Sequence, residues 1–270
     1  VAAVLFGLGF GVLFVLRQRT LEHPLLDLRL FRSRAFSVTL VVLLLGLGVM
    51  GGSYLLIGQY LQLVEGLPPL EAGLWMLPAA FALTAASMLT PLRPGYLVGA
   101  ALWVSVLGYV LLALVGPASG LPLLVVGFVL VYIGVSPLMA LGTELIVGSA
   151  PPEKAGSAAA SETAMEFGIA AGIAVMGSVA TAVYRDEVSA AVPDAVPEAA
   201  TAAARDTLAA AESAARELPG PLGAELLDAA RAGFTEGLNT AGAVSAAVVA
   251  VLAVCATVML RRVPPGGRAD

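Results

Sequence analysis

Glu144, Glu162 and Glu166 are carboxylates set inside long apolar stretches of this sequence. An ionisable side chain surrounded by lipid costs roughly 2.5–3.5 kcal/mol on insertion scales, so it marks a functional site by default. Glu162 and Glu166 are spaced i, i+4, which puts both on one side of a helix about 6 Å apart. No Lys or Arg lies within a turn of either. Such a pair titrates in coupled steps, and taking up and releasing a proton is what proton-driven transport requires. It also offers negative charge to a cation. Glu162 lies about two turns inside the cytoplasmic boundary expected at Gly156, so an interfacial position accounts for it as well. Glu144 sits close to the end of its stretch, where solvation or helix pairing serves equally.

A second group, Tyr54, Gln59, Tyr60 and Gln62, gathers at one end of an apolar stretch, with Trp75 at the start of the next. Interfacial anchoring explains aromatic residues there; stacking on an organic cation is the alternative. Other chemistry is poorly served. Cys255 and His23 each stand alone, so no metal cluster or disulfide framework forms within the chain. There is no nucleophile–base–orienter set, so an enzyme is not expected, and neither is a cofactor or a catalytic residue. Without a basic run or an interleaved aromatic stripe, nucleic acid is not an expected partner.

The elements that must hold these groups are membrane helices. Hydrophobic residues make up 59% of the chain and charged ones 12%, with mean hydropathy +0.93. A soluble domain is nearer half apolar and a quarter charged. Seven stretches approach the roughly 20 apolar residues a span needs: 1–16, 36–57, 72–91, 96–115, 121–148, 158–184 and 238–260. No period-2 alternation accompanies them, so the predicted fold is an all-α polytopic membrane protein of about seven transmembrane helices. Val1 already lies within an apolar stretch, which leads us to expect a preceding part of the same protein.

Basic residues orient the spans. Arg17, Arg19, Arg29, Arg32 and Arg34 follow the first, Arg93 the third, Lys154 the fifth, and Arg261, Arg262 and Arg268 the last. The alternate short loops 64–70 and 116–120 carry none. Every second loop and the C-terminus are therefore expected in the cytoplasm. Gly168 and Gly172 have the small-xxx-small spacing of a close helix contact, and Pro78 and Pro137 predict kinks. Between the last two spans, 198–218 is Ala-rich with Leu208, Ala211, Ala215 and Leu218 on one face. After Pro219-Gly220-Pro221, 222–234 resumes with Leu226, Ala230 and Phe234, which predicts an external helical hairpin. The expected organisation is thus a linker helix and basic loop (1–35), five bundle helices (36–184), the extracellular hairpin (185–237), and a last span with its tail (238–270).

Pro24-Leu25-Leu26-Asp27-Leu28-Arg29-Leu30-Phe31 with Arg34-Ala35-Phe36 resembles the loop before the C-terminal bundle of fourteen-span drug:proton antiporters of the major facilitator superfamily. Gln59-Tyr60-Leu61-Gln62, Pro69-Leu70-Glu71-Ala72-Gly73 with Leu77-Pro78, Pro151 through Gly156, and Glu162 through Gly168 to Gly177-Ser178 continue the pattern. The resemblance covers essentially the whole chain as spans eight to fourteen. It implies the C-terminal half of an alternating-access exporter of the quaternary-ammonium, multidrug type in a bacterial cytoplasmic membrane, with the N-terminal half, protons and lipophilic or cationic small molecules as partners. It also implies that Glu162 and Glu166 match the two acids of the penultimate span that serve proton coupling and cation recognition. The resemblance also implies a departure: aromatic-cation exporters place an Asp a few residues after the Leu-Pro of span ten, and the matching position here is about Leu83. The alternatives are export of an amino acid or endogenous natural product on the same scaffold, and a seven-span receptor. A retinal protein needs a Lys within a span, whereas Lys154 falls in a loop.

Overall fold

The computed structural model describes residues 2–20, 34–89, 94–116, 120–148 and 156–260, and every regular element among them is helical. Apolar residues are too dense in this chain for a one-sided stripe, and that is the pattern of helices surrounded by apolar material all round. The elements are α1 (Ala2–Thr20), α2 (Arg34–Gln59), α3 (Pro69–Leu89), α4 (Pro94–Leu112), α5 (Gly120–Gly148), α6 (Gly156–Ala191), α7 (Glu198–Asp206), α8 (Leu208–Glu217) and α9 (Gly220–Leu260). Each of the seven expected spans coincides with one of α1–α6 or α9. Among the described residues, five helices have the length and composition to cross a membrane, in α2, α3, α5, α6 and α9. Gly9–Gln18 of α1 and Gly99–Leu112 of α4 are shorter apolar segments. Helix continues through both Pro78 and Pro137.

His23, Arg29, Arg32, Arg93, Lys154, Arg261, Arg262 and Arg268 lie outside the described residues, as do the 24–31 and 151–155 motifs and 117–119 of the 116–120 loop.

Close backbone approaches fix the order of packing. Gly108 of α4 meets Gly127 of α5, while Gly134 of α5 meets Ala101 and Ser105, so those helices are antiparallel. Gly99 meets Thr257 and Gly242 meets Ala113, which lays α9 antiparallel to α4. Gly233 on Tyr184 and Gly237 on Ala180 do the same for α9 and α6. The core between them is built from residues such as Leu43, Leu47, Leu102, Leu112, Leu124 and Leu252. Its buried hydroxyls bond to backbone carbonyls, as a buried polar group must: Ser105 Oγ donates to Val131 O (3.3 Å) and Ser245 Oγ to Ala241 O (2.6 Å). Asn239 of α9 donates to Val115 O in the turn beyond the end of α4 (3.0 Å), tying that turn to α9. Ser136, beside Pro137, donates to the carbonyl of Leu83 (3.1 Å), which ties α3 to α5.

α2 ends in a π-helical turn, Tyr60–Val64, closed where Glu65 N donates to Tyr60 O (3.1 Å). Gly66 then turns the chain with φ +70, a conformation that L side chains adopt at a cost.

The segment expected to form a two-armed hairpin differs at its joints. α6 continues seven residues past the expected Tyr184, to Ala191. The expected first arm is divided at Thr207, whose extended backbone (φ −153, ψ 155) ends α7 and whose Oγ1 accepts from Ala210 N (3.1 Å) to start α8. A Thr side chain is a strong N-cap, and it outweighs the helix preference of the alanines around it. The expected break falls at Leu218-Pro219, while Gly220 and Pro221 begin the continuous α9, of which Leu222–Phe234 forms the opening turns. The expected faces do pack together: Leu208, Ala211, Leu226 and Ala230 are buried with Tyr184 and Val188 in a second core. Thr207→Ala should cost about 1 kcal/mol, read as a lower unfolding midpoint in detergent, with Thr207→Asn keeping most of the loss at bay. An unchanged midpoint for Thr207→Ala would mean that the α7–α8 break is set by something other than the cap.

Candidate functional site

α6 carries the acidic pair, and glycines decide which way it faces. A Cβ on Gly172 would strike the backbone of Gly48; one on Gly168 would lie 3.0 Å from Leu44 Cα, and one on Gly52 2.7 Å from Met176 Cβ. Only hydrogen atoms fit there, so α2 and α6 meet backbone to backbone. The pairs Leu44–Gly168, Gly48–Gly172 and Gly52–Met176 keep a constant offset, so the two helices run parallel. With Gly168, Gly172 and Ala164 turned toward α2, the 100° step of a helix carries Glu162 and Glu166 away from that seam. Both carboxylates are exposed, and Phe167 beside them is 63% exposed. Glu144 lies in the last turns of α5, its side chain outside the described residues.

The second group is divided. Tyr54 packs on Phe128 of α5 (ring centroids 6.4 Å, tilted 42°), and Phe128 packs edge-on against Tyr132 (4.5 Å, 61°). Phe128 is buried, Tyr132 half-buried and Tyr54 exposed, so a run of rings leads from the core to the surface. Tyr109 of α4 is fully buried near Tyr132 and Ser53, and its hydroxyl has no hydrogen-bond partner among the described residues; Ser53 donates instead to Val49 O (2.8 Å). Phe128, Tyr132 and Tyr109 were not singled out from sequence. The i, i+4 spacing of Phe128 and Tyr132 on one helix face was the available signal, but nothing in it says that the face meets Tyr54.

The remaining polar residues go elsewhere. Gln62 Nε2 donates to Gly58 O in its own helix (3.1 Å). Trp75 is exposed on α3. Gln59 lines a cavity of about 390 Å³ between the end of α2, α6, the α7–α8 junction and α9. Level with Val42 by the helix offset, Glu166 lies about 12 residues from Tyr54, roughly 18 Å along the α2 axis. The acids and the rings are thus separate parts of one bundle, joined through α2.

The chain is 33% identical over 97% of its length to the multidrug efflux pump LfrA of Mycolicibacterium smegmatis, covering 53% of that protein. It is 30% identical over 99% of its length to the tetracenomycin C resistance and export protein of Streptomyces glaucescens (51% of that protein). It is 31% identical over 90% to the methyl viologen resistance protein SmvA of Salmonella typhimurium (50% of that protein). The chain therefore spans about half the length of the curated relatives it matches. No family model matches it. In fold it resembles the crystal structure of a bacterial homologue of the human lysosomal transporter Spinster, inward-facing and unoccupied, with TM-score 0.57 over 91% of this chain and 53% of that one at 17% identity.

Proposed function

We propose that this chain, which belongs to the multidrug efflux pumps of the major facilitator superfamily, forms the C-terminal half of a transporter that exports lipophilic or cationic compounds in exchange for protons. One observation carries the proposal: Glu162 and Glu166 are exposed on a helix whose 162–191 segment is apolar and long enough to span a membrane. Two carboxylates turned toward lipid would be strongly disfavoured. Their face therefore belongs against water or against the rest of the transporter, where a carboxylate can exchange a proton and meet a cation. The relatives' names favour export of organic compounds, and methyl viologen is itself an organic cation. The arginines after the first and last spans and Lys154 favour a cytoplasmic C-terminus in a bacterial inner membrane.

Alternating access rocks one bundle against another around a central site. Vesicles containing this chain alone should show no proton movement when tetraphenylphosphonium is added, and co-reconstitution with the complementary half should restore it. Robust antiport by the chain alone would remove the two-bundle reading, and silence of the reassembled pair would remove proton-coupled export.

A further inference from the structure

From the cavity under the α7–α8 segment we infer a second binding site, for a lipophilic organic cation, distinct from the region of the acidic pair. The cavity holds about 390 Å³, within the roughly 300–1,000 Å³ of small-molecule sites. Its walls have the make-up such sites share, apolar surface with a few convergent polar groups. Leu56, Leu208 and Phe234 supply the apolar part, Gln59 and Thr207 neutral polarity, and Asp206 a carboxylate. Among the lining residues Asp206 carries the only charge, which favours a positively charged occupant. Phe234 adds an aromatic ring to which a cation is attracted.

The site stands apart from the proton pair. Gln59 lies about 17 residues beyond the level of Glu166 on α2, roughly 25 Å along the helix axis. Its roof is anchored, because Tyr184 of α6 donates to the carbonyl of Ala204 in α7 (2.5 Å) and Arg185 Nε to that of Arg205 (3.3 Å). Arg185 also reaches Asp206 Oδ1 at 3.5 Å, with both side chains more than half exposed. An exposed pair of this kind is weak, so a desolvated cation entering the cavity competes with Arg185 for the carboxylate. Arg185 acts as a built-in competitor that keeps the site's affinity low. The inference extends the export reading by giving an exported cation a low-affinity station at the far end of the bundle. Binding there needs no transport.

Equilibrium dialysis of tetraphenylphosphonium against the purified 270-residue chain in neutral detergent tests it. Asp206→Asn should weaken binding by about threefold to fivefold, the scale of one exposed charge contact, and should remove most of its salt dependence. Arg185→Gln should tighten binding by about twofold to threefold by freeing the carboxylate. Ala209→Trp, at the rim, should fill the cavity and reduce binding by about tenfold or more, while circular dichroism confirms native helix content in all three. Uncharged triphenylphosphine oxide should bind without responding to Asp206→Asn. Wild-type affinity in Asp206→Asn and Ala209→Trp would overturn the site, and so would weaker binding in Arg185→Gln. Neither result would touch proton-coupled export, which is scored by flux.

Discussion

Gly172→Leu should lower the stability of the chain by about 3 kcal/mol, the upper range for forcing a side chain into a filled interior. The seam between α2 and α6 leaves no volume to give, because a Cβ on Gly172 already meets the backbone of Gly48 and not the movable end of a side chain. Helices in a membrane gain little from hiding apolar groups, since lipid is equally apolar, and close van der Waals contact takes over that role. Parting α2 from α6 therefore forfeits contact along the whole seam, Leu44 to Met176. Gly48→Leu should cost about as much, and the double substitution much less than the sum, since either one already opens the same interface. Gly177, where an added Cβ would have nothing within 4 Å, is the control: Gly177→Ala should stay within about 0.5 kcal/mol of the starting protein. The measurement is the unfolding midpoint of the purified chain in detergent. A Gly172→Leu protein that unfolds like Gly177→Ala would show that α2 and α6 do not pack through this face.

How much of this is readable in the sequence depends on the length scale of each signal. Helices α2 to α6 follow from runs of some 20 apolar residues, a signal carried by many positions at once, and most of their ends agree with expectation to within a few residues. Gly168 and Gly172 announce a close contact by their spacing, but a spacing does not name its partner. That Gly48 and Gly52 supply the other half depends on the offset between α2 and α6, which is a property of the assembled bundle. Thr207 shows the opposite failure: a strong local signal is present in a Thr beside an Asp, and the alanine-rich stretch around it conceals the break. The length of α6 is underestimated because Arg185, Asp186 and Glu187 look like the end of an apolar span, yet a helix can leave the apolar layer without stopping. Of the candidate site residues whose side chains are described, Glu162, Glu166, Tyr54, Gln59, Gln62 and Trp75 all emerge on exposed surface, and Tyr54 joins a ring cluster. Phe128 and Tyr132 are hidden among the many apolar residues of α5, where an aromatic pair is ordinary core until a third ring from another helix meets it.

Glu166→Gln should reduce proton-coupled efflux by the complete transporter by about tenfold or more, with normal insertion in the membrane. Glutamine keeps the size of the side chain and its ability to hydrogen-bond, and removes the exchangeable proton and the charge. The helix seam is unaffected, since Gly168 and Gly172, not the acids, face α2. Glu162→Gln should have a smaller effect. Glu162 lies about two turns from the helix start at Gly156, one turn nearer that end than Glu166, where water can replace it as a proton source. Glu166 lies a turn deeper and has fewer substitutes. The two carboxylates share one side of α6 at i, i+4 spacing, so each single variant leaves one carboxylate on that face. Acidification or alkalinisation of vesicles on adding tetraphenylphosphonium, followed with a pH-sensitive dye, reads the coupling directly for each variant. Full coupling in Glu166→Gln would take this carboxylate out of the proton path and leave Glu144, or a group in the other half of the transporter, to carry the charge.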